Sequence, residues 1–166
     1  MISVLSTLRL TLEPLSIIHA DEMHSVLAHE ALYVFIGGQP PTREELRARY
    51  ERLARGSASA SSETWVNLIV RMRDTGRAVG TVQATILGQG EERRAKVAWV
   101  IGVDWQGEGF ATEAARALLA QLALESVHSI EASIHPSHVA SQRVAANIGL
   151  SLTHELDAGE QVWRST

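Results

Sequence analysis

The chain reads as a single α/β domain, α+β by some schemes, and three observations predict it. Stretches with a two-residue apolar alternation exchange along the chain with stretches at helical spacing. Val82, Ala84 and Ile86 against Thr81, Gln83 and Thr85 are the clearest of the first kind; Ala115, Leu118, Leu119 and Leu122 are the clearest of the second. No repeat or low-complexity linker divides the 166 residues, a length at which one core is sufficient, so the domain is taken as 1–166.

The elements follow in order. Leu8 to Leu15 reads as a first strand ended by Pro14. Ala20, Met23, Leu27 and Ala31 recur near helical spacing behind the early acids Asp21 and Glu22, which predicts a first helix. Thr42 with Glu45 three residues on is a capping-box pattern, and Leu46, Tyr50 and Leu53 supply the stripe of a second helix. Gly56 to Ser62, rich in small residues, is expected to be a mobile loop. Trp65–Met72 and Ala78–Leu87 are strands joined at Asp74-Thr75-Gly76, and Gly88–Arg93 turns the chain into a strand over Ala95–Val103. A glycine-bearing turn leads to the Ala115 helix, then a strand over Ile130–His135, a helix over His138–Ile148, and a hairpin of Leu150–Leu156 and Gln161–Trp163 around Asp157-Ala158-Gly159. The resulting order is β-α-α-β-β-β-α-β-α-β-β.

Composition excludes several classes of function. A net charge of −4, mixed in sign, gives no electrostatic footprint for nucleic acid or an anionic membrane. The absence of cysteine removes disulfides, thiolate metal sites and a cysteine nucleophile. Arg9 and Glu13 interrupt the apolar residues after Met1, so no signal peptide is read there, and no apolar run approaches a membrane span. The expected location is cytoplasmic. Lys96 is the only lysine among fifteen Lys and Arg residues, a bias without a functional account.

The most informative stretch is Trp105-Gln106-Gly107-Glu108-Gly109-Phe110-Ala111-Thr112-Glu113-Ala114, which joins an apolar strand to the long helix. A helix beginning there aims unpaired N–H groups and its positive dipole end at one small volume, suited to phosphate or pyrophosphate. Gly107 and Gly109 allow tight backbone angles and close approach of an anion. No Gly-x-x-x-x-Gly-Lys-Ser/Thr run occurs, and Thr112 stands where the dinucleotide pattern wants its third glycine.

The spacing that remains, Gln106-x-x-Gly109-x-Ala111, resembles the acetyl-CoA loop of the GNAT superfamily of N-acetyltransferases, Gln/Arg-x-x-Gly-x-Gly/Ala. Gly-Phe-Ala-Thr-Glu-Ala is similar to its Rim-type branch, the ribosomal-protein N-terminal acetyltransferases. A second segment, Ile134-His135-Pro136-Ser137-His138-Val139-Ala140-Ser141-Gln142-Arg143-Val144-Ala145 running on to Asn147-Ile148-Gly149-Leu150, is similar to that branch's later motif of a strand ending in x-Pro, then Asn-x-x-Ser-x-Arg-Val and a helix closed by glycine. Two motifs in order weaken the alternative of a tight turn that binds nothing.

The resemblance implies a mixed, mostly antiparallel central sheet with splayed strands and helices on both faces. It implies acetyl-CoA as acyl donor, attacked directly by an amine in a ternary complex, with no metal. Pantetheine would lie between Trp99–Val103 and Ile130–His135, pairing with backbone near Ile101 and Val103, one N–H also serving the oxyanion. Pyrophosphate would sit on the amides of Gly107, Glu108, Gly109, Phe110 and Ala111 beside Gln106. Many relatives place a cation in this loop, whereas Asp104, Glu108 and Glu113 surround it here, with Arg143 or Arg116 as candidate help.

Ser141 occupies the motif's serine; Ala145 stands where much of the superfamily has the tyrosine that protonates the thiolate. The resemblance therefore implies Ser141 as proton donor, against a plain helix-start role. His138 replaces the motif's asparagine, one turn before Ser141. It is read as a cofactor contact or an aid to Ser141, with a surface capping residue the plainer alternative. His135-x-x-His138 is rejected as a metal pair because Pro136 separates them and no carboxylate is placed nearby. A general base is not identified: His135, Glu131, Glu30 and Tyr33 are candidates. Trp99 stands where the branch has an aromatic facing the thioester; Trp65 and Trp105 read as packing.

The reading is an acetyl-CoA-dependent N-acetyltransferase acting on a primary amine, a protein or peptide N-terminus leading. A small-molecule amine acceptor, a non-catalytic acyl-CoA-binding regulatory domain and a mere interaction module are the alternatives. The sequence admits a homodimer.

Overall fold

The computed structural model describes residues 3–56 and 63–165. Eight strands form one sheet in the order β1-β2-β3-β4-β5-β6-β8-β7. They are β1 (Leu5–Ser6), β2 (Leu10–Pro14), β3 (Thr64–Met72), β4 (Ala78–Leu87), β5 (Arg94–Ile101), β6 (Ser129–Ile134), β7 (Leu150–Asp157) and β8 (Glu160–Ser165). Every neighbouring pair is antiparallel except β5 and β6. The helices are α1 (Ala20–Val26), α2 (Tyr33–Ile36), α3 (Arg43–Arg55), α4 (Phe110–Leu124) and α5 (Val139–Asn147).

Strand parity sends alternate residues to two cores. Leu68, Val70, Val82, Ala84 and Ile86 pack with Phe110, Ala114, Leu118 and Leu122 of α4 on one face. Ile69 and Ala78 meet Ala20 and Met23 of α1 and Leu46 and Tyr50 of α3 on the other. Helices thus cover both faces, because each apolar stripe must be buried against the sheet. The capping box is formed: the Glu45 amide donates to Thr42 Oγ1 at 3.2 Å and the Thr42 amide to Glu45 Oε2 at 2.7 Å. Among the described residues no helix is long and apolar enough to cross a membrane.

Several boundaries differ from the sequence reading. The first strand begins at Leu10, preceded by the two-residue β1, which is too short to show a period. Ala31 leaves the first helix: α1 ends at Val26, and the chain passes through a 3-10 turn at Glu30–Leu32 into the short α2, which was not expected. The strand expected over Ala95–Val103 stops at Ile101, and Val103–Trp105 is a 3-10 turn. His135 falls outside β6, and His138 is the residue before α5. The closing hairpin turns on Ala158 and Gly159, both at positive φ, 50° and 87°, the backbone of a tight two-residue turn. The loop expected at Gly56–Ser62 lies, beyond Gly56, outside the described residues.

One glycine shapes the end of the sheet that matters most. A Cβ on Gly80 would stand 2.1 Å from the Val100 carbonyl oxygen, so β4 and β5 approach here as only glycine allows. Gly80→Ala is expected to cost about 1–3 kcal/mol through forced backbone displacement. A urea titration should show a lower midpoint at unchanged slope; an unmoved midpoint would mean that the strands part without cost.

Candidate active site

β5 and β6 pair only from Arg94–Ser129 to Lys96–Glu131; beyond Lys96 they diverge. The parting opens toward the start of α4. A cavity of about 640 Å³ occupies this region, walled by α2, the end of β5, the glycine loop, the first turn of α4 and the start of α5. Ile101, Gln106, Gly107, Gly109, Phe110, Ala111, His138 and Ser141 all lie on its wall, with Trp99, Trp105 and Arg143. Val103 and Glu108, expected beside them, are not on the wall. Val103 is taken into the 3-10 turn, its carbonyl accepting the Gln106 amide at 3.3 Å. The Glu108 side chain is exposed and its carbonyl oxygen is held from outside the loop.

The loop has the conformation that an anion cradle needs. Gly107 and Gly109 sit at φ +79° and +81°. Gly109 is the N-cap of α4 and its side-chain position carries no cap hydrogen bond. Among the described residues, no protein group accepts from the amides of Gly107 through Ala111, while the Glu113 amide already closes the helix onto the Gly109 carbonyl at 3.0 Å. Gln106 braces the loop, its side-chain Nε2 donating to the Ile101 carbonyl at 3.0 Å.

Sequence reasoning missed the cation that supports this loop. Arg9 comes from the start of β2, about a hundred residues upstream. Its Nη1 donates to the Glu108 carbonyl at 2.9 Å, its Nε to Glu113 Oε2 at 2.7 Å, and its guanidinium lies 4.7 Å from the centre of the Phe110 ring. Glu113 also accepts from the Thr7 hydroxyl at 2.6 Å and from the Arg9 amide at 2.9 Å. Of the three acids around the loop, Glu113 is compensated: it is the anchor for Arg9. Arg116, a candidate for that role, instead donates to the Asn147 carbonyl at 2.7 Å. No local pattern marks Arg9, because its partners are fixed only when β2 lands beside α4.

Burial acts to raise the Glu113 carboxyl, but the Thr7 hydroxyl, the Arg9 amide and the Arg9 guanidinium outweigh it and hold the pKa below its ordinary value. A depressed carboxyl stabilises the fold above the unfolded pKa of about 4.3 and loses that contribution as pH falls through the lower folded value. Arg9 is partly exposed, so the pair is discounted for solvent to about 1 kcal/mol. Glu113→Gln should lower Tm by about 2–4 °C at neutral pH and flatten its fall below about pH 4. A Tm against pH curve superimposable on wild type would remove the latch.

A second cavity, about 80 Å³, lies between the parting strands. Val97, Ala98 and Trp99 of β5 face Ala132, Ser133 and Ile134 of β6, with Phe35 and Ile36 beside them and Glu160 on the wall. Trp99, His138 and Ser141 line both cavities, so the two spaces meet there. Neighbouring carboxylates are already in ion pairs: Asp157 with Lys96 at 3.0 Å and Glu131 with Arg164 at 3.2 Å.

His138 does not use its side chain as a cap. Its carbonyl accepts the Gln142 amide at 3.1 Å, while its ring stacks on Phe35 with centroids 4.5 Å apart at 18°. Nε2 lies 3.4 Å from Ser141 Oγ. Burial, and then the charge of His135, push its pKa below the ordinary histidine value, so the ring is predominantly neutral near pH 7. Of the base candidates, His135 lines the smaller cavity, whereas Glu131 pairs with Arg164 and Tyr33 donates to the Leu27 carbonyl. Glu30 is on neither wall, and Trp65 stands at the far end of β3. Among the described residues, no three His, Asp or Glu side chains gather to hold a metal.

A family model described as an acetyltransferase (GNAT) domain matches residues 9–151. No curated protein sequence matches significantly. Among solved structures, a GNAT-family acetyltransferase from Bacillus anthracis is similar at 18% identity and TM-score 0.75, over 97% of this chain and 95% of that one. A Vibrio cholerae structure, provisionally described as a ribosomal-protein-serine acetyltransferase, is similar at 20% identity and TM-score 0.71, over 97% and 95%. The aminoglycoside acetyltransferase AAC(6')-Ib, solved with an aminoglycoside and acetyl-CoA, is similar at 18% identity and TM-score 0.75, over 95% and 93%. These likenesses establish the fold; the family model, spanning most of the chain, establishes membership. With a splayed sheet and an open amide cradle at the head of α4, the chain belongs to the GNAT acetyltransferases, an acyltransferase family.

Proposed function

We propose that this protein transfers the acetyl group of acetyl-CoA to the N-terminal amine of a peptide or protein, by direct attack in a ternary complex. The observation that carries the reading is the meeting of two cavities at Trp99, His138 and Ser141, one walled by the amide cradle and the other threaded between β5 and β6. Acetyl-CoA takes the larger. Its pyrophosphate lies against the amides from Gly107 to Ala111, where the helix dipole favours negative charge.

The ladder supports a particular set of backbone groups as the receivers of pantetheine. Gly102 donates to the Val79 carbonyl at 2.8 Å, and antiparallel alternation then turns the main-chain groups of Trp99 and Ile101 toward β6. The Ile101 carbonyl is occupied by Gln106, so the Ile101 and Trp99 amides are the donors for pantetheine and the developing oxyanion. Ser141, at the junction, protonates the departing thiolate.

The smaller cavity suits the acceptor. Its wall is apolar apart from Ser133, the two histidines, Ser141 and one carboxylate, Glu160. Exposed Ile36 lines both cavities and exposed Val139 the larger. An extended peptide with one ammonium matches such a wall. A polycationic aminoglycoside calls for several carboxylates, which here are committed to Lys96 and Arg164.

Thiol release from acetyl-CoA tests the reading over a panel of short peptides, spermidine and kanamycin; the absence of cysteine keeps the background clean. Peptides should exceed kanamycin in kcat/KM by roughly a hundredfold or more. The reverse order would move the acceptor to small polyamines. No release with any amine would leave a domain that binds acyl-CoA without turning it over.

A further inference from the structure

We propose that His138 is the proton store of the reaction, exchanging with the substrates through Ser141; this rests on the transferase reading above. Phe35, from a short helix unseen in the sequence, clamps the imidazole by stacking at 4.5 Å and reaches His135 at 5.3 Å. The clamp presents Nε2 to Ser141 Oγ at 3.4 Å, at the junction of the two cavities. Capping α5 through its carbonyl leaves the His138 ring available for this role.

The reaction needs a proton removed from nitrogen and one delivered to sulfur, and a neutral imidazole paired with a hydroxyl does both. The acceptor ammonium first loses one proton to solvent. The neutral amine attacks the thioester carbonyl, forming the C–N bond as the carbonyl pair moves to oxygen. The adduct's N–H proton passes to Ser141 Oγ while the hydroxyl proton passes to His138 Nε2. Collapse of the oxyanion breaks the C–S bond and leaves the pair on sulfur. The imidazolium returns its proton to Ser141 Oγ as the serine hydroxyl protonates the thiolate. Both side chains end as they began, and one proton has moved from nitrogen to sulfur.

The groups facing His138 set where it titrates. Phe35 and Ile36 from α2 are apolar and favour the neutral ring. His135, at the end of β6, opposes a second positive charge, whereas Glu160 of β8 favours one. Arg143, further along α5, lines the larger cavity and opposes protonation. Burial and His135 lower the pKa, so the neutral ring needed as acceptor predominates near pH 7 and is lost as pH falls through that value.

The test is kcat/KM against pH for wild type, His138→Gln, His138→Asn and Ser141→Ala, with the fastest peptide of the panel and calorimetric acetyl-CoA binding in parallel. Below the lowered pKa of His138, wild-type kcat/KM should fall with two protons, those of the amine and of His138. Both His138 variants should fall with only one, with kcat reduced roughly 30-fold or more and acetyl-CoA affinity within about twofold of wild type. His138→Gln combined with Ser141→Ala should be no slower than the slower single variant, as expected for one relay. A His138→Gln enzyme with wild-type kcat and an unchanged two-proton fall overturns the proposal while leaving the transferase reading intact. A wild type that binds acetyl-CoA but releases thiol to no amine overturns both.

Discussion

Gly109→Asp is expected to lower acetyl-CoA affinity by at least about a hundredfold, about 2.7 kcal/mol. The residue sits at φ +81°, a left-handed conformation that aspartate tolerates better than most side chains, and its new Cβ would meet nothing nearer than Arg9 Nη2 at 3.5 Å. The variant should therefore fold. Its carboxylate would occupy the space at the head of α4 that the pyrophosphate needs. Two such charges about 4 Å apart repel by about 4 kcal/mol in a partly solvated site, and pairing of the new carboxylate with Arg9 reduces the penalty. Gly109→Asn, similar in shape but neutral, separates charge from conformation and should retain most of the affinity. Calorimetry on the three proteins decides the matter. Equal binding by the aspartate variant would place the phosphates elsewhere.

Ser141→Ala is expected to lower kcat by roughly 10²–10⁴-fold while acetyl-CoA affinity changes little. Ser141 is half-buried near the start of α5, and its recorded partner is His138 at 3.4 Å. Ala145, one turn further on, is fully buried and carries no proton to donate, so the superfamily's tyrosine has no replacement on that turn. On the proposed mechanism, removing the hydroxyl leaves the thiolate without its protein donor and cuts His138 from the reacting atoms. Stopped-flow thiol release with saturating acetyl-CoA reads the chemical step; turnover equal to wild type would remove Ser141 from the mechanism and require another proton route.

Much of the fold was legible locally. The alternation in Thr81–Ile86, the Thr42–Glu45 box and the alanine- and leucine-rich stripe of α4 each depend on residues within a turn or two, and each formed where the spacing placed it. Boundaries were less legible where backbone geometry overrode pattern. The apolar run through Val103 continues past the strand because the chain turns there: the Trp105 amide donates to the Gly102 carbonyl at 2.9 Å and the Trp105 ring folds over Gly102. α2 escaped notice because four residues are too few to display a helical period.

The sequence by itself determined the element types, the α/β class and the glycine loop at the head of the long helix, since these follow from backbone stereochemistry and short-range apolar periodicity. Only the tertiary structure decided how the loop is held and what stands opposite Ser141. Arg9 reaches Glu108 and Glu113 because β2 packs across α4, and Phe35 reaches His138 because α2 folds over the mouth of the splayed strands. Such pairings depend on which distant segments the two cores bring together. Local spacing carries no record of that choice.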